Sequence, residues 1–139
     1  MAFVNVYGDA VRAAAYAKLE FARTYYLAYR DLPEILATHV QGKRALDFGC
    51  GTGRSARFLR QHGFDVVGVD IAEHMIRKAR ELDAGGDYRL IADGDFSQLQ
   101  KGAFDVVLSA FTFDNIAGFS DQTKVYSFFD EYFDRRAER

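Results

Sequence analysis

Four short apolar runs punctuate the middle of the chain, at 45–48 (ALDF), 65–69 (DVVGV), 88–92 (YRLIA) and 104–109 (FDVVLS). Between the first three lie stretches 54–61 and 73–82, where Phe58, Leu59, Met75, Ile76 and Ala79 fall at helical spacing. Nearly continuous apolar strands alternating with helices are the pattern of a parallel sheet covered on both faces. Gly85 and Gly86 mark the turn into the third run. Upstream, the Ala- and aromatic-rich stretch 9–29 predicts a helix with Leu19, Ala22 and Tyr26 along one face. A second short helix follows, in which Asp31 stands three residues before Glu34 and Pro33 sits in the first turn, a capping arrangement. Downstream, Val125, Phe128, Phe129, Tyr132 and Phe133 form the stripe of a helix with one buried face. The fold class is α/β with four parallel strands. Residues 1–139 read as a single domain, with 1–40 as an N-terminal helical extension or lid.

Composition narrows the setting. A chain of 139 residues with 49% hydrophobic residues and one proline can bury its own core, and no linker, repeat or low-complexity tract divides it. The single cysteine, Cys50, excludes an internal disulfide and suits a reducing cytoplasm. A net charge of −2 argues against a general nucleic-acid surface. The opening residues lack a basic segment followed by an apolar one, and no uncharged run approaches the roughly 18–20 residues of a membrane span. A soluble, cytoplasmic protein is expected, with no nucleic-acid or membrane partner.

The chemistry concentrates in 46–53, LDFGCGTG, a strand that runs into a glycine-rich turn and then a helix near Arg54. Glycines let the backbone turn sharply and approach a ligand, and the helix N-terminus beyond offers unpaired N–H groups. Seventeen residues after Gly53 the second strand ends in Asp70, whose carboxylate can accept from two ribose hydroxyls. A dinucleotide fingerprint would need a third glycine where Arg54 stands, which disfavours a nicotinamide-dependent oxidoreductase. Asp47, two residues before the first glycine, suits a ligand that carries positive charge. His39, His62 and His74 lie on three separate helices without ligand spacing, so no metal site is expected. Arg54, Arg57 and Arg60, three residues apart, read as a solvated helix face.

Through ALDFGCGTG at 45–53, VVGVDIAEHMI at 66–76 and DGDF at 93–96, the sequence resembles the class I S-adenosylmethionine-dependent methyltransferases, over about 32–117. The resemblance implies a Rossmann-like parallel sheet of strand order 3-2-1-4, with helices on both faces. It implies that Asp47, Gly49, Cys50, Gly51 and Gly53 line the methionine end of the cofactor, that Asp70 binds the ribose hydroxyls, and that Ile71 and Met75 pack near adenine or ribose. Asp95 would accept from the adenine amino group, with Asp93 as a rival and Phe96 beside the ring. Ser109, Ala110 and Phe111 match the position that faces the sulfonium and the acceptor. Arg30, on the N-terminal helices with Tyr7, Tyr16, Tyr25 and Tyr26, can pair with the cofactor carboxylate through a bidentate fork.

The implied function is transfer of a methyl group from S-adenosylmethionine to a small-molecule acceptor, leaving S-adenosylhomocysteine, by in-line displacement. Such a reaction needs positioning rather than a protein nucleophile, and no catalytic residue is assigned. The competing reading is a non-catalytic cofactor-binding or interaction domain. The family sheet has seven strands and four are legible here, so the fold reads as truncated after the fourth strand region. Either the chain is part of a longer enzyme, or a homodimer completes it across the exposed, apolar fourth-strand edge. Phe113, Asp114 and Asn115 are further candidates for the acceptor pocket.

Overall fold

The computed structural model describes residues 24–110 and 112, together with isolated helical positions at 10, 11 and 14. The chain enters through α1 (Thr24–Arg30) and α2 (Leu32–His39) and then alternates β1 (Arg44–Phe48), α3 (Arg54–Gln61), β2 (Asp65–Asp70), α4 (Glu73–Leu82) and β3 (Asp87–Leu90) before β4 (Val106–Leu108). The sheet runs β3-β2-β1-β4 with every pair parallel. Leu46 lies opposite Val67 on one side and Val107 on the other. Two successive crossovers carry the chain outward from β1 to β3. It then returns past β1 to form β4, so the strand order reverses between β1 and β4.

Alternation within each strand sorts side chains onto two faces. Ala45 and Val66 join Tyr29, Leu36, Ala56, Phe58, Leu59, Ile76 and Ala79 on the face covered by the helices. Leu46, Phe48 and Val69 face the other way, against Ile91, Leu99 and Phe104. Tyr29 meets the Phe58 ring edge-on at 5.0 Å, which anchors α1 on α3. Among the described residues no helix is long and apolar enough to cross a membrane.

Several local expectations shift. The third strand closes at Leu90, whose carbonyl accepts from the Gln98 side chain at 2.9 Å. The fourth is shorter than 104–109, because the Asp105 carboxylate turns back and accepts the Arg44 amide at 2.9 Å. The cap of α2 is not formed. Asp31 has helical dihedrals, and both its oxygens are held by the neighbouring Arg30 guanidinium at 2.9 and 2.8 Å. Most of the helix at 9–29 and the helix at 125–133 lie outside the described residues, as do Tyr7, Tyr16, Phe111, Phe113, Asp114 and Asn115.

Candidate functional site

Ligands of open α/β sheets bind beyond the carboxyl ends of the strands, where strand order reverses. Here the chain leaves β1 through Gly49, Cys50, Gly51, Thr52 and Gly53. The amides of Gly49 and Cys50 share the Val69 carbonyl at 2.9 Å, which ties the loop to the end of β2. Gly49, Gly51 and Gly53 all adopt positive φ, at 74°, 55° and 86°, a region costly for residues with a β-carbon. A β-carbon on Gly49 would also collide with the Thr112 side chain.

Asp47 is the most constrained group of the site. It is fully buried, and its Oδ2 accepts from the Ser55 hydroxyl at 2.6 Å at the start of α3. Oδ1 is buried without a hydrogen-bond partner among the described residues. A helix N-terminus favours an anion, but loss of water outweighs it. Burial, with the Asp70 charge nearby, pushes the Asp47 carboxyl up to about 7, against the Ser55 hydroxyl and the Ala56 amide that stabilise its charge.

Asp70 closes the other side of the loop. Its Oδ2 accepts the Gly51 amide at 2.8 Å and its Oδ1 the Ala72 amide at 2.9 Å. Burial raises its pKa, opposed by the amides of Ala72, Gly51 and Ile71. Each carboxylate oxygen retains acceptor capacity beyond one amide, so the residue that braces the loop can also take a hydroxyl.

The remaining sequence candidates separate into three groups. Near the reversal point, Ser109 follows β4 directly, and its buried Oγ has no hydrogen-bond partner among the described residues. Ile71 and Phe96 are half-buried against the second core, with Phe96 tilted over Phe48 at 6.1 Å. Asp95 is exposed on the adjoining loop, where its Oδ1 accepts the Ser97 amide at 3.0 Å and the contact holds its pKa low; Asp93 is exposed as well.

Met75 and Cys50 belong to the interior. Met75 is 2% exposed within α4. The Cys50 thiol packs in the helical-face core, and burial together with the charges of Asp47 and Asp70 drives its pKa up, so it is an inert thiol and its main chain alone serves the loop. Arg30 stands apart from both groups, an exposed guanidinium engaged with Asp31.

Five contributors escaped the sequence reading. Ser55 and Thr112 are the first two, the latter placing its hydroxyl 3.2 Å from the Phe48 carbonyl, across the gap between β1 and β4. Tyr88, from β3, backs the glycine loop at Gly53. Arg54 is buried rather than part of a solvated face, and Arg57 donates to the Thr52 carbonyl at 2.7 Å; only Arg60 of the three is exposed. An aromatic two residues after Gly-Gly was the one signal available for Tyr88. Among the described residues no cluster of His, Cys, Asp and Glu could hold a metal ion.

A family model described as methyltransferase domain matches residues 46–133. Ubiquinone biosynthesis O-methyltransferase from Bordetella avium is 38% identical over 76 residues, covering 52% of this chain and 32% of that protein. An uncharacterized methyltransferase from a Geobacillus strain is 35% identical over 96 residues, covering 68% of this chain and 44% of its own. The chain thus spans less than half the length of these curated relatives. Among solved structures, an S-adenosylmethionine-dependent methyltransferase from Mesorhizobium loti superposes with a TM-score of 0.61 at 25% identity, over 76% of this chain and 49% of that one. DesVI of Streptomyces venezuelae shares the fold, with a TM-score of 0.72 at 20% identity over 90% and 53% of the two chains.

Proposed function

The chain belongs to the methyltransferase-domain family, and from that premise we propose that it binds S-adenosylmethionine at the carboxyl ends of β1, β2 and β4 and serves methyl transfer to a small-molecule acceptor. The observation that carries this reading is the convergence of three left-handed glycines, the loop-bracing Asp70 and the buried, half-satisfied Asp47 at the strand-order reversal. The cradle fits the group: the loop tolerates no added β-carbon at Gly49, and the orphaned Asp47 Oδ1 and Ser109 Oγ want hydrogen-bond donors or a cation.

When bound, the cofactor supplies an electrophilic methyl group on a sulfonium. The chain's own residues bind and orient. Asp70 accepts ribose hydroxyls with the lone pairs its two amides leave over. Asp47, its carboxyl pushed up to about 7 by burial, ionises beside a cationic group, and in that dry setting the attraction is stronger than in water. Phe96 and Ile71 offer apolar surface at the mouth of β2 and the following loop. Ser109, at the end of β4, lies on the side from which an acceptor would approach, and much of the rate of such a transfer comes from orientation.

Calorimetric titration with S-adenosylhomocysteine, run beside Asp70→Ala, tests the reading. Micromolar binding that weakens by about 1.5–3 kcal/mol in the variant is expected, the worth of hydrogen bonds to a charged acceptor. A folded chain that does not bind overturns it.

A further inference from the structure

The ring of Tyr88 occupies a slot built from three glycines that are far apart in sequence. A β-carbon added at Gly53 would lie 2.7 Å from the Tyr88 hydroxyl and 2.9 Å from its ring, and one at Gly68 would lie 3.0 Å from Cδ1. At Gly86 it would collide with the same ring. The slot therefore joins the cofactor loop, the middle of β2 and the turn before β3 through a single side chain.

Polar contacts fix that residue at its hydroxyl and at its main chain. The Tyr88 hydroxyl donates to Asp83 Oδ2 at 2.7 Å, and Asp83 is held in turn by Arg60 of α3, whose Nη1 lies 2.6 Å from Oδ1. The Tyr88 carbonyl accepts from Arg80 of α4 at 2.7 Å. Burial and the adjacent Asp83 carboxylate push the phenol's pKa up, so it stays a hydrogen-bond donor. Tyr88 is 4% exposed and its ring lies behind the loop, with Cys50 beside it against Gly68.

We propose that Tyr88, tethered by Asp83 and Arg60, is a positioning residue that holds Gly53 and the last turn of the glycine loop in the conformation that receives the methionine end of S-adenosylmethionine. The inference rests on the functional reading above and deepens it. Gly53 leads directly into α3, so a ring free to shift behind it lets both the loop end and the first turn of the helix relax. The ribose side of the site, Asp70 at the carboxyl end of β2, has a second brace outside the loop, its Oδ1 accepting the Ala72 amide at 2.9 Å.

The test compares S-adenosylhomocysteine with adenosine, which lacks the methionine end, by calorimetry on the whole chain, with Tyr88→Phe, Asp83→Asn and the double variant. Tyr88→Phe keeps the ring in the slot and removes only the tether. It is expected to weaken S-adenosylhomocysteine about five- to tenfold, roughly one hydrogen bond's worth, and to leave adenosine within about twofold. Asp83→Asn should do the same, and the double variant should be no weaker than either single one, because the two groups act as one unit. Equal weakening of both ligands, or an unchanged affinity for S-adenosylhomocysteine in both single variants, overturns the proposal. Absence of S-adenosylhomocysteine binding by the folded parent chain overturns the functional reading, and the positioning role falls with it.

Discussion

The two ends of the sheet are built on opposite terms. At the amino ends of the strands, polar groups are closed on each other. Asp105 accepts the Arg44 amide at 2.9 Å and its guanidinium at 3.1 and 2.7 Å, while the Asp105 amide returns a bond to the Arg44 carbonyl at 2.7 Å. The Asp65 amide meets the Lys43 carbonyl at 2.7 Å. At the carboxyl ends, Asp47 and Ser109 keep buried atoms without hydrogen-bond partners among the described residues, and the chain runs through left-handed glycines. The amino end holds β1 to β4. The carboxyl end carries backbone turns open only to glycine and desolvated carboxyl groups, whose perturbed ionisation marks a candidate functional site.

The two ends should also respond to pH with opposite sign. At the carboxyl end, a rise in the Asp47 pKa from 3.8 to about 7 means the folded chain holds a proton that the unfolded chain has released. Stability is therefore lost as pH climbs through that window, by about 4 kcal/mol at 1.36 kcal/mol per unit. Asp47→Asn keeps the shape without the charge. Urea unfolding from pH 4 to pH 8 should show the variant gaining on the parent by a few kcal/mol, while its affinity for S-adenosylhomocysteine falls about tenfold. A variant that tracks the parent across the whole range breaks the comparison at its strongest point.

At the amino end the sign reverses. Arg44 holds the Asp105 carboxyl below its ordinary range, so its stabilisation is present above the unfolded value and disappears as pH falls through the folded one. Asp105→Ala should cost roughly 1.5–3 kcal/mol at pH 7, through lost bonds to a charged group, with cofactor affinity unaltered. Thermal melts with and without S-adenosylhomocysteine separate the two quantities. Loss of binding along with stability would show that the amino end also sets the geometry of the loop.

What could be read from sequence follows the range of the interaction. The glycine turn and Asp70 are local features: three glycines in five residues after an apolar run, and an acid where the next run stops. Strand order came from the family resemblance rather than from periodicity, which carries no information about neighbours. Tyr88 remained hidden because its slot is assembled from Gly53, Gly68 and Gly86, residues brought together only by the sheet. Arg54 misled because three-residue spacing suggests one helix face, yet the first turn of α3 lies under the carboxyl end of the sheet and Arg54 is 7% exposed. Asp31 misled for the opposite reason: its immediate neighbour Arg30 outcompetes the helix amides for the carboxylate. Within 9–29 the described residues are helical, at 10, 11 and 14 and in α1, whereas the helix at 125–133 lies wholly outside the described residues.

Thr112 decides whether the contrast runs by end or by satisfaction. It lies at the carboxyl end, yet its hydroxyl is within 3.2 Å of the Phe48 carbonyl and 3.5 Å of that of Gly49, so it closes the gap between β1 and β4 much as Asp105 does at the opposite end. If a satisfied polar group stabilises wherever it lies, Thr112→Val should cost about 1 kcal/mol, the net worth of one neutral hydrogen bond. Cofactor affinity should stay within about twofold, because the isosteric side chain still fills the space beside Gly49 that a β-carbon would need. Urea midpoints and one calorimetric titration are sufficient. A variant with unchanged stability and weakened binding would assign the whole carboxyl end to the ligand, satisfied groups included, and would make the site rather than the unpaired atom the unit that trades stability for function.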